Sequence, residues 1–478
     1  MTYPNLFPVL PEIFMALMTI VILLVDAFST KKSVITVLTL LTLVGCFVLQ
    51  IYVSSPNTEL TFNNMFILDS LATGTKLFTY MLSFVAVIYV KRYIIDKNIN
   101  QGEFYAILLF AILGMMVMIS ADNMIVLYVG LELLSLALYG LIALQRDNVK
   151  ATESAMKFFI LGALASGILL YGISFIYGAT GGHLQLEFIV RSMLASQSQE
   201  VNPLLTFGLA FVVAGLVFKL GLVPFHMWIP DVYEGSPLAV TTMIGSLTKI
   251  AAVVFMIRFL VGGLVLLSMY WTVMLLVLAV LSLFFGNIIA IAQTNIKRML
   301  GYSTISHMGF VALGFIVLSV DGITSTLFYV VTYSITALAT FGILTALSKD
   351  AFEFETIDDL KGLSNSHPVY AFLLMLTMFS MAGIPPLVGF YAKFKILAAL
   401  VNTGLTWVAV FAVIMSLIGA FYYIRVVKAM YFDDKVKDIQ VANICVGTKV
   451  LLFVNTLVLL VIGIFPSYLI EYCQKFIG

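Results

Sequence analysis

The chain has 478 residues, of which 62% are hydrophobic and only 10% are charged, and its mean hydropathy is +1.10. A soluble protein of this size would carry about 25% charged residues, so the composition indicates an integral membrane protein. A net charge of +1 provides no basic field for a nucleic acid. Three cysteines, far apart in the sequence, cannot supply the usual four thiolates of an iron–sulfur cluster. With no phosphate-binding glycine motif either, we expect neither a metal site nor a bound cofactor in this chain.

Apolar runs long enough to cross a bilayer follow one another along the whole chain. Because a span needs about 20 apolar residues, the sequence predicts about fourteen transmembrane helices. The predicted fold class is therefore an all-α integral membrane protein, in which the long span 12 is expected to be interrupted. The predicted spans are about 9–28, 34–53, 70–94, 104–121, 123–144, 155–179, 205–228, 237–260, 271–293, 299–319, 323–347, 369–400, 405–431 and 447–470.

Lysine and arginine in the connecting loops predict the orientation of the chain. Loops after even-numbered spans contain little beyond Arg191 and Arg258, whereas loops after odd-numbered spans are rich in basic residues. We therefore expect the odd-numbered loops to face the cytoplasm and both termini to lie on the outer side of a bacterial inner membrane. One loop on the cytoplasmic side, Asp231–Gly235, is acidic, which suggests a specific role. The basic residues of the odd-numbered loops are Lys31, Lys32, Lys91, Arg92, Lys97, Arg146, Lys150, Lys297, Arg298, Lys349, Lys361, Lys428, Lys435 and Lys437.

A lysine, a proline and a histidine interrupt span 7, in the stretch Phe218–Trp228. An ammonium in the middle of a bilayer costs roughly 2.5–3.5 kcal/mol. Pro224 has no backbone N–H, so it leaves the carbonyl of Leu220 without its usual helical partner. Because ion paths in membranes commonly place a charge beside a freed carbonyl, we interpret span 7 as a broken helix on a proton or cation path through Lys219.

A faint internal repeat places a second break in span 12. The stretch Gly221–Pro224 recurs 162 residues later as Gly383–Pro386, in which Pro385 and Pro386 are the candidate helix breakers. Spans 4–8 and 9–13 would then be two five-helix units, and an odd number of helices makes such units inverted copies. The predicted segments are an N-terminal three-helix segment (1–100), the first repeat (101–262), the second repeat (263–432), and a cytoplasmic loop with span 14 (433–478).

One carboxylate and several lysines lie deep inside predicted spans. Glu132 is near the middle of span 5, and we expect it to pair with Lys219; the alternative is an ion pair that only locks helices together. Lys249 is about a dozen residues from either end of span 8, which makes snorkelling to an interface a poor explanation. Lys393 and Lys395 follow the second break, and only one of them can easily face the bundle, because residues two apart lie on different helix faces.

The other buried polar residues carry weaker assignments. His226 and His307 are possible relay groups between lysines, and an ordinary buried histidine is an equal alternative for each. Lysine suits a relay because burial lets it exchange between neutral and charged forms, whereas arginine stays charged. Asp69 and Lys76, seven residues apart on span 3, are predicted to form a structural pair. Glu12 is expected to be solvated near the end of span 1.

Five stretches of the sequence resemble the antiporter-like subunits of respiratory complex I, the proton-translocating NADH–quinone oxidoreductase. The likeness covers about residues 100–431 well and the three leading helices more loosely, and the motifs are long and jointly specific. Lys393 separates sister subunits within the family, because one of them typically has glutamate there. Ser236 is a small departure, at a position where the family often has alanine. The stretches are Tyr128–Leu136, Phe218–Trp228, Pro230–Pro237, Gln293–Gly309 and Ala382–Phe394.

The resemblance implies a role for each buried charge. Glu132 and Lys219 would form the charge pair of the first half-channel, Lys249 would be the connecting lysine, and Lys393 the terminal lysine of the second half-channel. The chain would move protons as a subunit of a translocase, driven by electron transfer from NADH to quinone in other subunits. NADH, FMN, the iron–sulfur clusters and quinone would belong to those partners, which include sister antiporter-like subunits and small membrane subunits.

Two other functions remain open at this point. A subunit of a multisubunit Na⁺/H⁺ antiporter of the Mrp type shares the Glu–Lys core, but the stretches Gln293–Gly309 and Ala382–Phe394 favour complex I. The other alternative is a passive membrane scaffold, whose charges only fix the register of the helices. Substitution of the charges separates a scaffold from a proton carrier, because only a carrier depends on them for pumping.

Overall fold

The computed structural model describes residues 4–28, 32–99, 101–195, 202–348, 353–434 and 445–477. Within these ranges, 13 helical segments are long and apolar enough to cross a membrane. The predicted all-α integral membrane fold is therefore confirmed. Four basic residues used to predict the orientation, Lys31, Lys349, Lys435 and Lys437, lie outside the described residues.

The helices fall in chain order into three groups. The first group is α1 (Leu10–Phe28), α2 (Lys32–Val53), α3 (Ser70–Asp96), α4 (Gly102–Ile119), α5 (Met124–Ala143), α6 (Val149–Ala179) and α7 (Leu186–Ala195). The second group is α8 (Pro203–Leu220), α9 (Trp228–Gly235), α10 (Leu238–Met256), α11 (Ser268–Ala292), α12 (Ile296–Ile316) and α13 (Val320–Leu347). The third group is α14 (Leu363–Ser366), α15 (Pro368–Ala382), α16 (Val388–Asn402), α17 (Thr406–Phe432), α18 (Val446–Ile464) and α19 (Ser467–Gln474).

A few short elements join these helices. A two-stranded antiparallel hairpin, β1 (Glu59–Thr61) and β2 (Phe66–Leu68), follows α2 and was not predicted. Span 8 ends in a π-helical segment, Ile257–Gly263, that continues α10. Helix α7, which was also not predicted, is ten residues long and therefore too short to span a membrane.

Both predicted breaks are present, and each begins at a glycine. Gly221 ends α8 in the left-handed conformation, with φ +85°, and Gly383 ends α15 in the same way, with φ +87°. At the first break the amides of Gly221 and Leu222 both donate to the carbonyl of Val217, at 2.8 and 3.0 Å. Only glycine adopts this conformation without a steric penalty, so each glycine turns the chain out of its helix.

The stretch after the first break corrects one prediction. The acidic segment Asp231–Gly235 is the second half of the broken span 7, in α9, and is not a loop. Pro230 does not prevent this helix, because a proline in the first turn removes no hydrogen bond that a helix could make. Span 7 therefore ends at Gly235 and not near residue 228. Span 12 divides as predicted, into α15 and α16.

Three helices form the centre of the bundle. Every residue in the most apolar stretch of α13 is buried. In the corresponding stretches of α10 and α12, 94% of the residues are buried. A helix that is buried on all sides has no lipid-facing stripe, so polar side chains on it must find partners inside the protein. Lys249 and His307 lie on two of these helices and are therefore enclosed by protein.

The N-terminal segment contains a buried ion pair whose partners differ from the predicted ones. Lys76 pairs with Glu12 of α1, and both side chains are buried, so Glu12 is not solvated. Asp69 caps α3 by accepting from the amide of Ala72 and holds Arg258 at 2.6 and 2.7 Å. Burial alone would raise the pKa of Asp69, but Arg258 outweighs that effect and lowers it. Arg258 is thus a buried residue of span 8 and not a loop cation, which makes the charge bias between the two faces more one-sided.

Candidate functional site

Glu132 and Lys219 lie near each other but do not form the direct ion pair that was predicted. Glu132, half-buried on α5, accepts a hydrogen bond from Ser166 of α6. Lys219, buried on α8, donates to the hydroxyl of Ser135 at 3.1 Å, and Ser135 lies one helical turn after Glu132. Among the described residues no salt bridge joins the two charges, and each of them has a serine hydroxyl as its hydrogen-bond partner.

Lys249 occupies the first helix break. It is fully buried on α10, and its ammonium lies 3.5 Å from the carbonyl oxygen of Leu220, the last residue of α8. This carbonyl is the one that Pro224 was predicted to free, so its partner is Lys249 and not Lys219. The ammonium also lies over the ring of Trp228, 5.4 Å from the centroid, in a cation–π arrangement. Full burial excludes snorkelling.

Lys393 occupies the second helix break in a similar way. Its ammonium donates to the carbonyls of Met381 and Ala382, at 3.1 and 2.9 Å, and to the hydroxyl of Ser416 at 2.9 Å. The carbonyls at the end of a helix lack helical partners and carry partial negative charge, so they suit a cation. Lys395 is only half-buried and takes no part in these contacts. The structure therefore selects Lys393 as the lysine that faces the bundle.

His307 lies among tyrosines near the second break. Its ring nitrogens are 2.7 Å from the hydroxyl of Tyr329 and 3.0 Å from that of Tyr423. A cavity of about 20 Å³ next to this group is lined by His307, Ser380 and Met381 among others. A space of that size can hold one water molecule. His307 is therefore placed where a relay group next to Lys393 would lie.

His226 is not brought to the same place. It lies half-buried in the connection between α8 and α9, and its ring neighbour is Tyr302, with centroids 6.5 Å apart. Among the described residues no contact joins it to Lys219, Lys249 or Lys393. The three prolines of the breaks, Pro224, Pro385 and Pro386, are exposed on the surface of the bundle. They shape the helix ends and lie away from the buried lysines.

Comparison with known proteins assigns the chain to a family. A family profile described as "NADH:quinone oxidoreductase/Mrp antiporter, TM" matches residues 121–419, a range that includes Glu132, Lys219, Lys249, His307 and Lys393. The chain belongs to this family. The resemblance stated from the sequence motifs is thereby confirmed, and the buried lysines can be compared with those of the family's other membrane subunits.

Close relatives carry one name. The protein named NADH-quinone oxidoreductase subunit N of Laribacter hongkongensis is 52% identical over 474 residues, which cover 98% of this chain and 97% of the relative. The protein of the same name from Nitrosomonas europaea is 49% identical over 468 residues, covering 98% of this chain and 96% of the relative. Such similarity over nearly the full length favours the complex I branch of the family over the Mrp branch.

Solved structures show the same fold. A chain of respiratory complex I from Thermus thermophilus with bound aureothin superposes with a TM-score of 0.81 at 27% identity, covering 96% of this chain and 98% of that one. A chain of the Mrp complex from Dietzia superposes with a TM-score of 0.85 at 19% identity, covering 97% and 96%. The second likeness shows a shared fold only, so the family's architecture does not by itself distinguish a complex I subunit from an antiporter.

The residues of the site that were not predicted from the sequence mainly carry hydroxyl groups. The charged groups of Lys219, Glu132 and Lys393 contact the hydroxyls of Ser135, Ser166 and Ser416, respectively. His307 contacts the hydroxyls of Tyr329 and Tyr423. Only Ser135 had a signal in the sequence, because it lies three residues after Glu132 and thus on the same helix face. The others lie on different helices from the residues they contact, so spacing along one helix could not indicate them.

Proposed function

We propose that this chain carries protons across a bacterial inner membrane, as a membrane subunit of an NADH–quinone oxidoreductase. The row contains Glu132, Lys219, Lys249, His307 and Lys393. Several neighbours in the row are close enough to interact electrostatically: Glu132 with Lys219, Lys219 with Lys249, and His307 with Lys393. Protons would therefore pass through the interior of the bundle, between its two broken helices.

The observation that carries this proposal is the absence of acid partners for buried amines. Among the described residues, neither Lys249 nor Lys393 has a carboxylate in contact, and each ammonium lies on helix-end carbonyls. A buried charge without a counter-ion is expensive, so it is a poor way to hold helices together. Lysine can give up its proton when buried, unlike arginine. A passive scaffold does not account for such amines, whereas a proton carrier requires them.

The redox groups belong, in this proposal, to partner subunits. NADH, FMN, the iron–sulfur clusters and quinone would bind elsewhere in the assembly, and electron transfer there would drive the proton movement here. The cysteines of this chain, Cys46, Cys445 and Cys473, are free and do not lie together, so they suit no cluster. The partners would be sister antiporter-like subunits and small membrane subunits of the same complex.

The orientation and the repeats complete the proposal. The lysine-rich loops would face the cytoplasm, and both termini would lie outside. Residues 101–262 and 263–432 would be the two inverted units, between a three-helix segment (1–100) and a final loop and span (433–478). This division is supported by the matching backbone at the two breaks, where φ and ψ are +85° and +39° at Gly221 and +87° and +42° at Gly383.

The test is the loss of charge at the first pair. We expect Lys219→Ala or Glu132→Gln to lower NADH-driven proton pumping and the coupled NADH oxidation in inverted membrane vesicles, while the complex still assembles. Quinone reduction by the detergent-solubilised complex provides a measure of the intact redox subunits. Normal pumping by an assembled variant would contradict proton transfer and support the scaffold. Transport of sodium in place of protons would instead favour an antiporter.

A further inference from the structure

An open polar cavity of about 280 Å³ lies on the lysine-rich face of the bundle. It is located where the ends of α3, α5, α9 and α13 meet the beginning of α12. None of the residues in the proposed row lines it. Its charged lining comes from three basic and three acidic side chains, Lys97, Lys150, Lys297, Glu234, Glu353 and Glu355.

Lys297 and Glu353 form the inner wall of this cavity. The ammonium of Lys297 is buried, donates to the carbonyl of Ser236 at 3.2 Å and lies 3.7 Å from the carboxylate of Glu353. Glu353 also pairs with Lys97 at 3.2 Å and accepts from Tyr93. Burial alone would raise the pKa of Glu353, but Lys297, Tyr93 and Lys97 outweigh it and hold the pKa below its usual range. The wall thus carries a fixed negative charge between two cations.

Ser236 is where this cavity reaches the interior. This serine is 1% exposed and belongs to the cavity lining. Its hydroxyl has no hydrogen-bond partner among the described residues. Buried polar groups without a protein partner are commonly satisfied by water. Water in the cavity can therefore extend as far as the junction between α9 and α10.

One face of α12 leads inward from the cavity. Along α12, Thr304 follows Lys297 by seven residues and His307 follows it by ten. This spacing places the three side chains on one side of the helix over about 15 Å. Gly301 lies between them on the same side, facing Ile229 and Pro230 of α9. This face therefore connects the wall of the cavity with the histidine next to Lys393.

Hydroxyl groups accompany this face of α12. The Thr304 hydroxyl lies 3.4 Å from that of Tyr233 and 2.8 Å from that of Tyr333, and the Tyr333 ring is 5.0 Å from the ring of His307. Beyond His307 lies the cavity of one-water size, which also reaches Met381, whose carbonyl holds Lys393. The buried hydroxyl of Ser380 there has no protein partner among the described residues, so it too suits a water.

We propose that this cavity and the face of α12 below it form a proton uptake route to His307 and Lys393. The route is separate from Glu132 and Lys219, so the second broken helix would have its own supply from the lysine-rich face. This inference rests on the proposed function, because it assumes that Lys393 transfers protons. The simpler alternative is that Lys97, Glu353 and Lys297 only tie the helix ends together.

The first test removes the central hydroxyl. We expect Thr304→Val to lower NADH-driven pumping, per assembled complex in inverted vesicles, by about fivefold or more, because the bridge between Tyr233 and Tyr333 is lost. The matched control is Thr456→Val, a buried threonine of α18 whose hydroxyl, among the residues that the structure describes, bonds only to the carbonyl of Leu452. Pumping by Thr304→Val that equals the control would overturn the route.

The second test asks whether water reaches Ser236. In a Cys445→Ser background, which removes the exposed native thiol, Ser236→Cys is treated with a membrane-impermeant methanethiosulfonate in inverted vesicles. We expect modification from the lysine-rich face, followed by a loss of pumping. An unreactive thiol, or full pumping after complete modification, would overturn the proposal.

The two tests also separate this inference from the proposed function. If Lys219→Ala abolishes pumping while Thr304→Val and the modified Ser236→Cys variant pump normally, the uptake route is wrong and proton translocation by the chain stands. If Lys219→Ala pumps normally, the proposed function fails first. Tyr333→Phe provides a second variant of the route if Thr304→Val does not assemble, and the same pumping loss is expected from it.

Discussion

Two parts of this protein bury a lysine in opposite ways. In the N-terminal segment Lys76 is fully buried and pairs with the carboxylate of Glu12. At the two helix breaks Lys249 and Lys393 are buried with no acid in contact within the described part of the chain, and they lie on backbone carbonyls. A paired amine keeps its proton because the neighbouring carboxylate stabilises the charge. An amine on neutral dipoles is held less firmly in its charged form, so it can change its protonation state.

The largest effect that tests this contrast is expected at the paired lysine. Lys76→Met leaves Glu12 buried without a partner, which should destabilise the complex by about 3–5 kcal/mol. Its thermal transition, measured on the purified complex, should fall accordingly. Pumping per assembled complex should stay near that of the unmodified protein, because this pair is not part of the row.

The double variant Glu12→Leu with Lys76→Met is the control for this prediction. Replacing both charges with apolar groups of similar volume should restore most of the lost stability, since no charge is then left unpaired. If the single variant were as stable as the unmodified protein, the pair would not have the structural role described here.

A second prediction concerns the unpaired lysine at the second break. Lys393→Ala should lower pumping by roughly 10²-fold, the usual scale for loss of a proton-transfer group, with little change in stability. Lys395→Ala is the matched control on the same helix, and its pumping should be nearly unchanged, because Lys395 lies outside the carbonyl cluster. Both are measured as NADH-driven acidification of inverted vesicles.

Equal losses in the two variants would remove the distinction between Lys393 and Lys395. In that case the contacts of Lys393 with Met381, Ala382 and Ser416 would not define its function. A loss of assembly in Lys393→Ala alone would instead place this lysine with Lys76, as a group that holds the helices together.

The smallest of these effects is expected at Ser135. Its hydroxyl is the contact of Lys219 on α5, at 3.1 Å, and Ser135 lies one helical turn from Glu132. Ser135→Ala should lower pumping by about fivefold, the scale of one hydrogen bond, since water can replace part of the contact. Ser135→Thr, which keeps the hydroxyl, should recover most of the activity. A loss as large as that of Lys219→Ala would mean that the hydroxyl itself relays the proton.

The sequence predicted much of the fold because the relevant signals are local. The length of each apolar run predicts a span, and the glycine and proline pairs predict the two breaks, as found at Gly221 and Gly383. The errors are local as well. The acidic stretch Asp231–Gly235 was predicted to be a loop between spans 7 and 8, whereas it is helical, because Pro230 in the first turn of α9 removes no helical hydrogen bond.

The partners of the buried charges were predicted less well. Lys76 was assigned to Asp69 because both lie on one helix face, but Glu12 of another helix is its partner. Lys219 was assigned to the carbonyl of Leu220, which Lys249 contacts instead. Spacing along one helix shows which residues share a face, and it does not show which helix lies opposite.

The sequence alone determined that this chain crosses a membrane many times, that two of its spans are broken, and that a few charges lie far from water. These properties follow from transfer free energies and backbone geometry, which act over a few residues. Only the tertiary structure decided that Lys249 and Lys393 lie on the ends of broken helices, while Lys76 meets an acid. Those contacts join different helices, and packing between helices, not spacing along one helix, brings them together.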